Sequence, residues 1–159
     1  MRVRMRVAYA TAAIVAAAAA NPAHAGLGQS LASAPADGQV IVGVPRMAAK
    51  VASAAAQAGV RTQTVQTSQG DTVVEYADAN GIVFAITWRG PFRPDLSQLL
   101  GAYFGAYEQA THVAQGLTVA TSEGSGIVVH SRGKMRSFEG VAWVPALVPA
   151  GFDPSELSP

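Results

Sequence analysis

Hydrophobic positions follow two different periods along this 159-residue chain. Short runs rich in β-branched and aromatic residues, typical of strands, occur at residues 60–66, 72–77, 82–88, 117–121, 126–131 and 135–144. Between the third and fourth runs the apolar residues recur at steps of three and four, the spacing of a helix with one apolar stripe: Leu96, Leu99, Leu100, Tyr103, Phe104 and Tyr107. This order predicts an α+β domain: an antiparallel sheet of about five to six strands with one long amphipathic helix, from Pro94 to His112, packed on one face.

A β-hairpin is predicted over residues 72–88. Asn80-Gly81 separates two of the strand-like runs, and this dipeptide supplies the two positive φ angles of a tight hairpin turn. Strict alternation along the second strand then places its bulky side chains on one face, toward the core: Ile82, Phe84, Ile86 and Trp88.

The stretch from Trp88 to Asp95, WRGPFRPD, joins this hairpin to the helix. Gly90-Pro91 ends the strand, since proline cannot donate to the ladder, and Pro94 and Asp95 suit the first helical turn. Only the two arginines have no structural role in this interpretation. We predict that Arg89 and Arg93 pair with Asp95 or Glu75, with an anion pocket as the alternative.

The N-terminus has the three parts of a secretory signal. Three arginines precede the apolar run at residues 7–20, and Ala23-His24-Ala25 fits the small-x-small cleavage site, so we expect residues 1–25 to be removed after Ala25. The protein is then periplasmic or extracellular.

The rest of the chain divides by composition. Residues 26–44 are rich in Gly, Ser, Ala and Pro and predict a mobile segment. A shorter helix is predicted to begin at Pro45 and to end at Gly59. Residues 45–151 form the predicted single domain, and residues 152–159 a flexible tail.

Charge and cysteine content exclude several classes of function. Without residues 1–25, eight basic and ten acidic side chains remain, a net charge of −2 that does not favour nucleic acid. No remaining apolar run is long enough for a membrane span. The chain has no cysteine, which excludes disulfides, thiolate catalysis and thiolate metal sites.

Candidate chemistry is sparse. Glu108 and His112 stand four apart on the predicted helix, but two ligands do not make a metal site, and we predict a solvated pair, no metal and no cofactor. Ser125 lies in a Gly-Ser-Gly connector that lacks the second spacer of a nucleophile motif, and no catalytic residue is assigned.

Basic residues give the better candidates. Arg132, Lys134 and Arg136 cluster at a predicted hairpin tip, where accessible cations suit an anionic polymer or a lipid headgroup. Arg89, Arg93 and His130 complete the set of candidate binding residues.

Separated blocks of the sequence resemble a family of exported bacterial proteins known as domain of unknown function 2844. The blocks are residues 71–76, 81–91, 94–101, 103–104, 133–136 and 144–151. The resemblance implies export, a single domain and a Gram-negative setting, and it brings no activity, cofactor or catalytic residue.

The leading hypothesis is therefore a non-catalytic envelope or secreted module that binds a partner protein or an anionic envelope polymer. Two alternatives stay open: a small hydrolase-like enzyme in which His130, Asp95 and Arg89 meet in a cleft, and a structural subunit of an exported assembly. The sequence does not decide the oligomeric state.

Export is testable by expression in a Gram-negative host. The protein recovered from the periplasm should begin at Gly26, because signal peptidase requires small residues at Ala23 and Ala25. N-terminal sequencing or intact mass checks the cut. Replacing Ala25 with tyrosine should leave the longer precursor, whereas replacing Ala20 with serine, outside the cleavage motif, should not; an unprocessed wild-type chain would contradict the signal.

Overall fold

The structure, a computed structural model, describes residues 26–31, 38–41, 59–114, 119–124 and 126–159. The predicted signal at residues 1–25 and the predicted helix at residues 45–58 lie outside this part of the chain. Within it, the eight strands are β1 (Gly38–Ile41), β2 (Arg61–Thr67), β3 (Thr72–Ala77), β4 (Val83–Gly90), β5 (Thr111–Ala114), β6 (Val119–Gly124), β7 (Ile127–Lys134) and β8 (Ser137–Trp143). Two short α-helices, α1 (Leu96–Leu100) and α2 (Phe104–Gln109), lie between β4 and β5.

All eight strands form one antiparallel sheet in the order β1-β2-β3-β4-β8-β7-β6-β5. Two four-strand meanders are therefore joined side by side through β4 and β8. The α+β class and the antiparallel sheet are confirmed, with more strands than the sequence predicted. None of the helices in the described ranges is long and apolar enough to cross a membrane.

The predicted hairpin is present as β3 and β4, but its turn differs from the prediction. Gly81 has a positive φ of 84°, whereas Asn80 does not, so the turn is not the two-residue type. The Gly81 amide donates to the Asp78 carbonyl, and the Ile82 amide donates to Asp78 Oδ1 at 2.8 Å. Asp78 thus closes a longer loop that needs only one left-handed residue.

A bulge in β4 changes which side chains share a face. Tyr76 pairs with Ala85 and Ala77 pairs with Val83, which leaves Phe84 as an extra residue. Phe84 therefore lies on the face opposite Ile86 and Trp88, contrary to the strict alternation expected from the sequence. Both faces of this strand are buried as a result.

Each face of the sheet has its own core. The helix face, covered by α1 and α2, carries Val65, Val73, Ile86, Trp88, Ile127, Val129 and Ala142. The tail face, covered in part by the C-terminal segment, carries Val74, Tyr76, Phe84, Ala85 and Val141.

The predicted long helix is interrupted, and it ends at Gln109 rather than His112. Gly101 ends α1 with φ 51° and ψ −123°, and residues 101–103 form a 3₁₀ turn before α2 begins. The Leu27 amide donates to the Leu99 carbonyl at 3.2 Å, and Gly26 approaches Gly101 closely. The N-terminal segment therefore meets the helix at the break, and only glycine readily adopts such a positive φ.

Residues of both segments that composition predicts to be mobile or flexible contact the sheet in the described part of the chain. Leu27 is fully buried in the helix-face core, and the Gly28 amide donates to the Val83 carbonyl. At the other end, Phe152 and Leu157 are buried against the tail face. Buried apolar side chains therefore anchor residues 26–31 and 152–157 to the sheet.

The packing of the C-terminal segment can be tested with Phe152→Ala. The Phe152 ring lies 5.1 Å from that of Phe84, edge to face, and 6.3 Å from that of Tyr76. Its removal should lower the free energy of unfolding by about 3 kcal/mol, measured by urea denaturation. Phe92→Ala, at an exposed phenylalanine, is the matched control and should change it by less than about 0.5 kcal/mol. Equal effects of the two would show that residues 152–157 do not stabilise the fold.

Candidate anion-binding surface

A row of charged side chains crosses three adjacent strands on the tail face. Arg89 of β4 pairs with Glu139 of β8, and Glu139 pairs in turn with Arg132 of β7. Directly paired residues of an antiparallel sheet point to the same face, so the three side chains stand side by side. We call Arg89, Arg132 and the glutamate between them, Glu139, the cationic row.

Glu139 bonds to both arginines. Arg89 donates from Nη2 and Nε to Glu139 Oε2, at 2.8 and 3.3 Å. Arg132 donates to the other oxygen, Oε1, from Nη2 and from Nε at 2.7 Å. These hydrogen bonds, first that from Arg89 and then that from Arg132, hold the pKa of Glu139 below its usual range, so the carboxylate stays ionised.

Both arginines of the row reach the surface. One carboxylate, only 11% exposed, is shared between two guanidinium groups that are 52% and 59% exposed. A guanidinium has five N–H donors in a plane, and each arginine uses two of them on Glu139. Glu139 therefore aligns the two arginines side by side.

Lys134 and His130 extend the row along β7. Residues two apart on a strand share a face, so both lie on the side of Arg132. The His130 ring contacts Trp143 edge to face, with centroids 5.2 Å apart. The structure therefore brings four of the six predicted binding residues onto one face.

The remaining two, Arg93 and Arg136, lie at the same end of the sheet. Arg93 follows the end of β4, and Arg136 belongs to the Met135-Arg136 turn between β7 and β8. The turn lies at residues 135–136 rather than at the predicted connector of residues 132–134, since Arg132, Gly133 and Lys134 belong to β7. Gly133 fits inside the strand because the Phe138 ring occupies the space where a Cβ would lie.

Positive charge is concentrated at this end, which we call the cationic end. Five of the eight basic residues that follow Ala25 lie there: Arg89, Arg93, Arg132, Lys134 and Arg136. The opposite end carries the β3–β4 turn with Asp78, and the segment with Asp153 and Glu156 packs at that end. Asp71 and Asp95 also lie at the cationic end and Arg61 lies at the opposite end, so the charges of the described residues are unevenly, but not completely, separated.

The predicted partners of the arginines were wrong in detail. Arg89 pairs with Glu139, whereas Glu75 points to the helix face, opposite Arg89. Asp95 instead caps α1, accepting from the Ser97 amide at 2.9 Å and from the Ser97 hydroxyl at 2.6 Å. The sequence does not indicate that Arg89 pairs with Glu139, because the two residues are 50 positions apart.

The structure does not bring together the three residues of the hydrolase alternative, and it does not place Glu108 and His112 on one helix. His130 and Arg89 lie on the tail face, whereas Asp95 begins a helix that packs on the helix face. Glu108 belongs to α2 but His112 belongs to β5, so they do not share a helix face. The described residues contain no group of three or more histidines and carboxylates that could hold a metal ion.

Glu75 is a buried carboxyl that the sequence did not single out as a site. It pairs with Gln63 and Ile86 and is 3% exposed, and its Oε2 has no hydrogen-bond partner in the described part of the chain. Arg61, the nearest cation along β2, donates instead to the Ala79 carbonyl. Desolvation raises the pKa of Glu75 from 4.5 to about 7.

One comparison with known proteins gives a match. The family model described as "Protein of unknown function (DUF2844)" matches residues 23–157. The match includes both terminal segments that pack against the sheet. None of the curated proteins and none of the solved structures matches the chain.

The buried carboxyl predicts an unusual pH dependence. A raised pKa in the folded state means that stability is highest below pH 4.5 and falls as the pH rises to about 7, because the unfolded chain releases this proton in that range whereas the folded chain retains it. Glu75→Gln should abolish this loss, so the variant should gain on the order of 3 kcal/mol over wild type between pH 4.5 and pH 8.

Urea denaturation at several pH values measures this difference. Glu108→Gln, at an exposed carboxyl of α2, is the matched control and should follow the wild type. A constant difference between Glu75→Gln and wild type across this range would show that Glu75 does not titrate there.

Proposed function

Since the chain belongs to the family described as Protein of unknown function (DUF2844), whose description names no activity, we propose from its own side chains that it is a non-catalytic, exported binding module. Its ligand is an anionic component of the cell envelope, held by the cationic row. The supporting observation is the strand register that aligns Arg89, Glu139 and Arg132 on one partly open face.

The chemistry of the row suits oxyanions. Guanidinium groups bind carboxylate, phosphate and sulfate through planar pairs of N–H donors, and a neighbouring ammonium adds a point charge. Glu139 keeps the two arginines extended over the sheet before any ligand arrives, which lowers the conformational entropy lost on binding.

Binding accounts for the site better than hydrolysis does. The hydrolase alternative requires His130, Asp95 and Arg89 in one cleft, and Asp95 is engaged at the start of α1 on the other side of the sheet. A flat row of cations on strands offers a wide contact surface for an extended ligand.

Export supports an envelope ligand. The N-terminus has the order of a secretory signal, and the absence of cysteine suits a protein that depends on its core in any redox compartment. The net charge of −2 expected after processing does not favour nucleic acid, so the local polarity of the surface, and not its total charge, selects the ligand.

Binding to heparin, used as a probe polyanion, tests the proposal. Arg132→Ala should weaken binding about fivefold at low salt, because each cation near an anionic surface contributes about 1 kcal/mol. Glu139→Gln should strengthen it, since it removes the competing negative charge and keeps an amide oxygen that can still accept a hydrogen bond from an arginine. Fluorescence anisotropy at two salt concentrations measures both effects, and high salt should diminish them.

Arg61→Ala is the matched control, because Arg61 is an exposed arginine at the opposite end of the sheet. It removes the same charge and should leave binding unchanged. Equal losses for Arg61→Ala and Arg132→Ala would mean that total charge governs the interaction, and a lack of any heparin binding would contradict the proposal itself. Circular dichroism verifies that each variant is folded.

A further inference from the structure

Two large apolar side chains are exposed within the described ranges, and both lie at the cationic end. Met135 is 94% exposed and Phe92 is 54% exposed. Met135 is the first residue of the β7–β8 turn, and Phe92 is the second residue after β4 ends. Gly90, at the end of β4, pairs with Phe138, and Lys134, at the end of β7, pairs with Ser137. Both side chains therefore lie beyond the same end of these strands.

Cations flank each apolar side chain. Lys134 precedes Met135 and Arg136 follows it, and Arg93 follows Phe92. The side chains of these three cations are exposed. No ion pair holds these three side chains in the described part of the structure. Three carboxylates at this end have other hydrogen-bond donors: Glu139 accepts from two arginines, Asp95 caps α1, and the buried Asp71 accepts from the Phe92 amide at 3.5 Å.

The backbone of the turn also departs from what its residues prefer. Arg136 has a φ of 59°, the only positive φ of a non-glycine residue in the described ranges. Glycine would adopt this conformation more readily, so the turn carries a long cation where a residue without a side chain fits best.

We propose that the cationic end docks on an anionic lipid bilayer, with Met135 and Phe92 inserted below the headgroups and Arg93, Lys134 and Arg136 at the lipid phosphates. The inference rests on the proposed function and names its envelope component. Apolar insertion combined with cationic attraction is the usual means by which a protein binds a membrane surface without spanning it.

The apolar pair distinguishes a lipid surface from a soluble polyanion. A polysaccharide or polyphosphate offers charge to the five cations but nothing to Met135 and Phe92. A bilayer offers both, phosphates at the surface and acyl chains a few ångströms below it. The most projecting residue of the end, Met135, has a flexible thioether side chain that adapts to such an irregular environment.

The test uses vesicles of equal parts phosphatidylglycerol and phosphatidylcholine, and vesicles of phosphatidylcholine alone. Because the chain has no cysteine, Met135→Cys introduces a unique site for an environment-sensitive fluorophore. Ala79→Cys, in the exposed β3–β4 turn at the opposite end, is the matched control. The probe at position 135 should shift to the blue on the anionic vesicles, whereas the probe at position 79 should not.

Co-sedimentation of unlabelled variants gives a second readout. Met135→Ser should weaken binding to the anionic vesicles about tenfold, the loss expected for one buried methionine side chain, and Phe92→Ser should act in the same direction. Neither should change heparin binding. All variants share the same N-terminus, so any contribution from the apolar run at residues 7–20 is constant in the comparison.

The outcomes separate the two proposals. A blue shift at position 135 together with the loss in Met135→Ser supports lipid docking. Binding to heparin without binding to anionic vesicles overturns lipid docking and leaves the proposed function standing, with a polymer or an acidic protein as the ligand. Vesicle binding with the probe at position 135 still in water also overturns insertion. Binding to neither heparin nor vesicles overturns both.

Discussion

The pairing of β4 with β8 is the contact on which the rest of the structure depends. It joins the two meanders, places Ile86 and Trp88 beside Ala142 on the helix face, and sets Arg89 against Glu139 on the tail face. Trp88 lies over Gly140, where any Cβ would collide with the indole ring, so this ladder closes only with glycine at position 140. A single register thus fixes two cores and the charged row together.

Local structure could be predicted from local signals, and the errors arose where distant residues intervene. The β3–β4 hairpin and the Asp95 cap follow from residues within a few positions of each other. At the helix break, the Leu99 carbonyl accepts from the amide of Leu27, which is more than 70 positions away. The apolar stripe of the helix gives no sign of this contact. Likewise, the alternation of bulky residues along β4 does not reveal the bulge at Phe84, which places this aromatic ring on the opposite face of the sheet.

The candidate site shows the same division. Sequence reasoning selected all six basic residues, since exposed cations near turns are recognisable by composition. It could not find Glu139, which aligns Arg89 and Arg132, because the three strands meet only in the folded sheet. It also assigned Glu75 to an ion pair, since a carboxyl on a strand gives no sign of which face it occupies until the register is known.

The packing of both terminal segments constrains when the chain can fold. Leu27 completes the core on one face of the sheet, and Phe152 and Leu157 complete the core on the other. The core on the tail face is therefore incomplete until Phe152 and Leu157 have been synthesised and have packed. The sheet of such a protein can form its strands earlier, but the tail face gains its full packing only when these late residues are present.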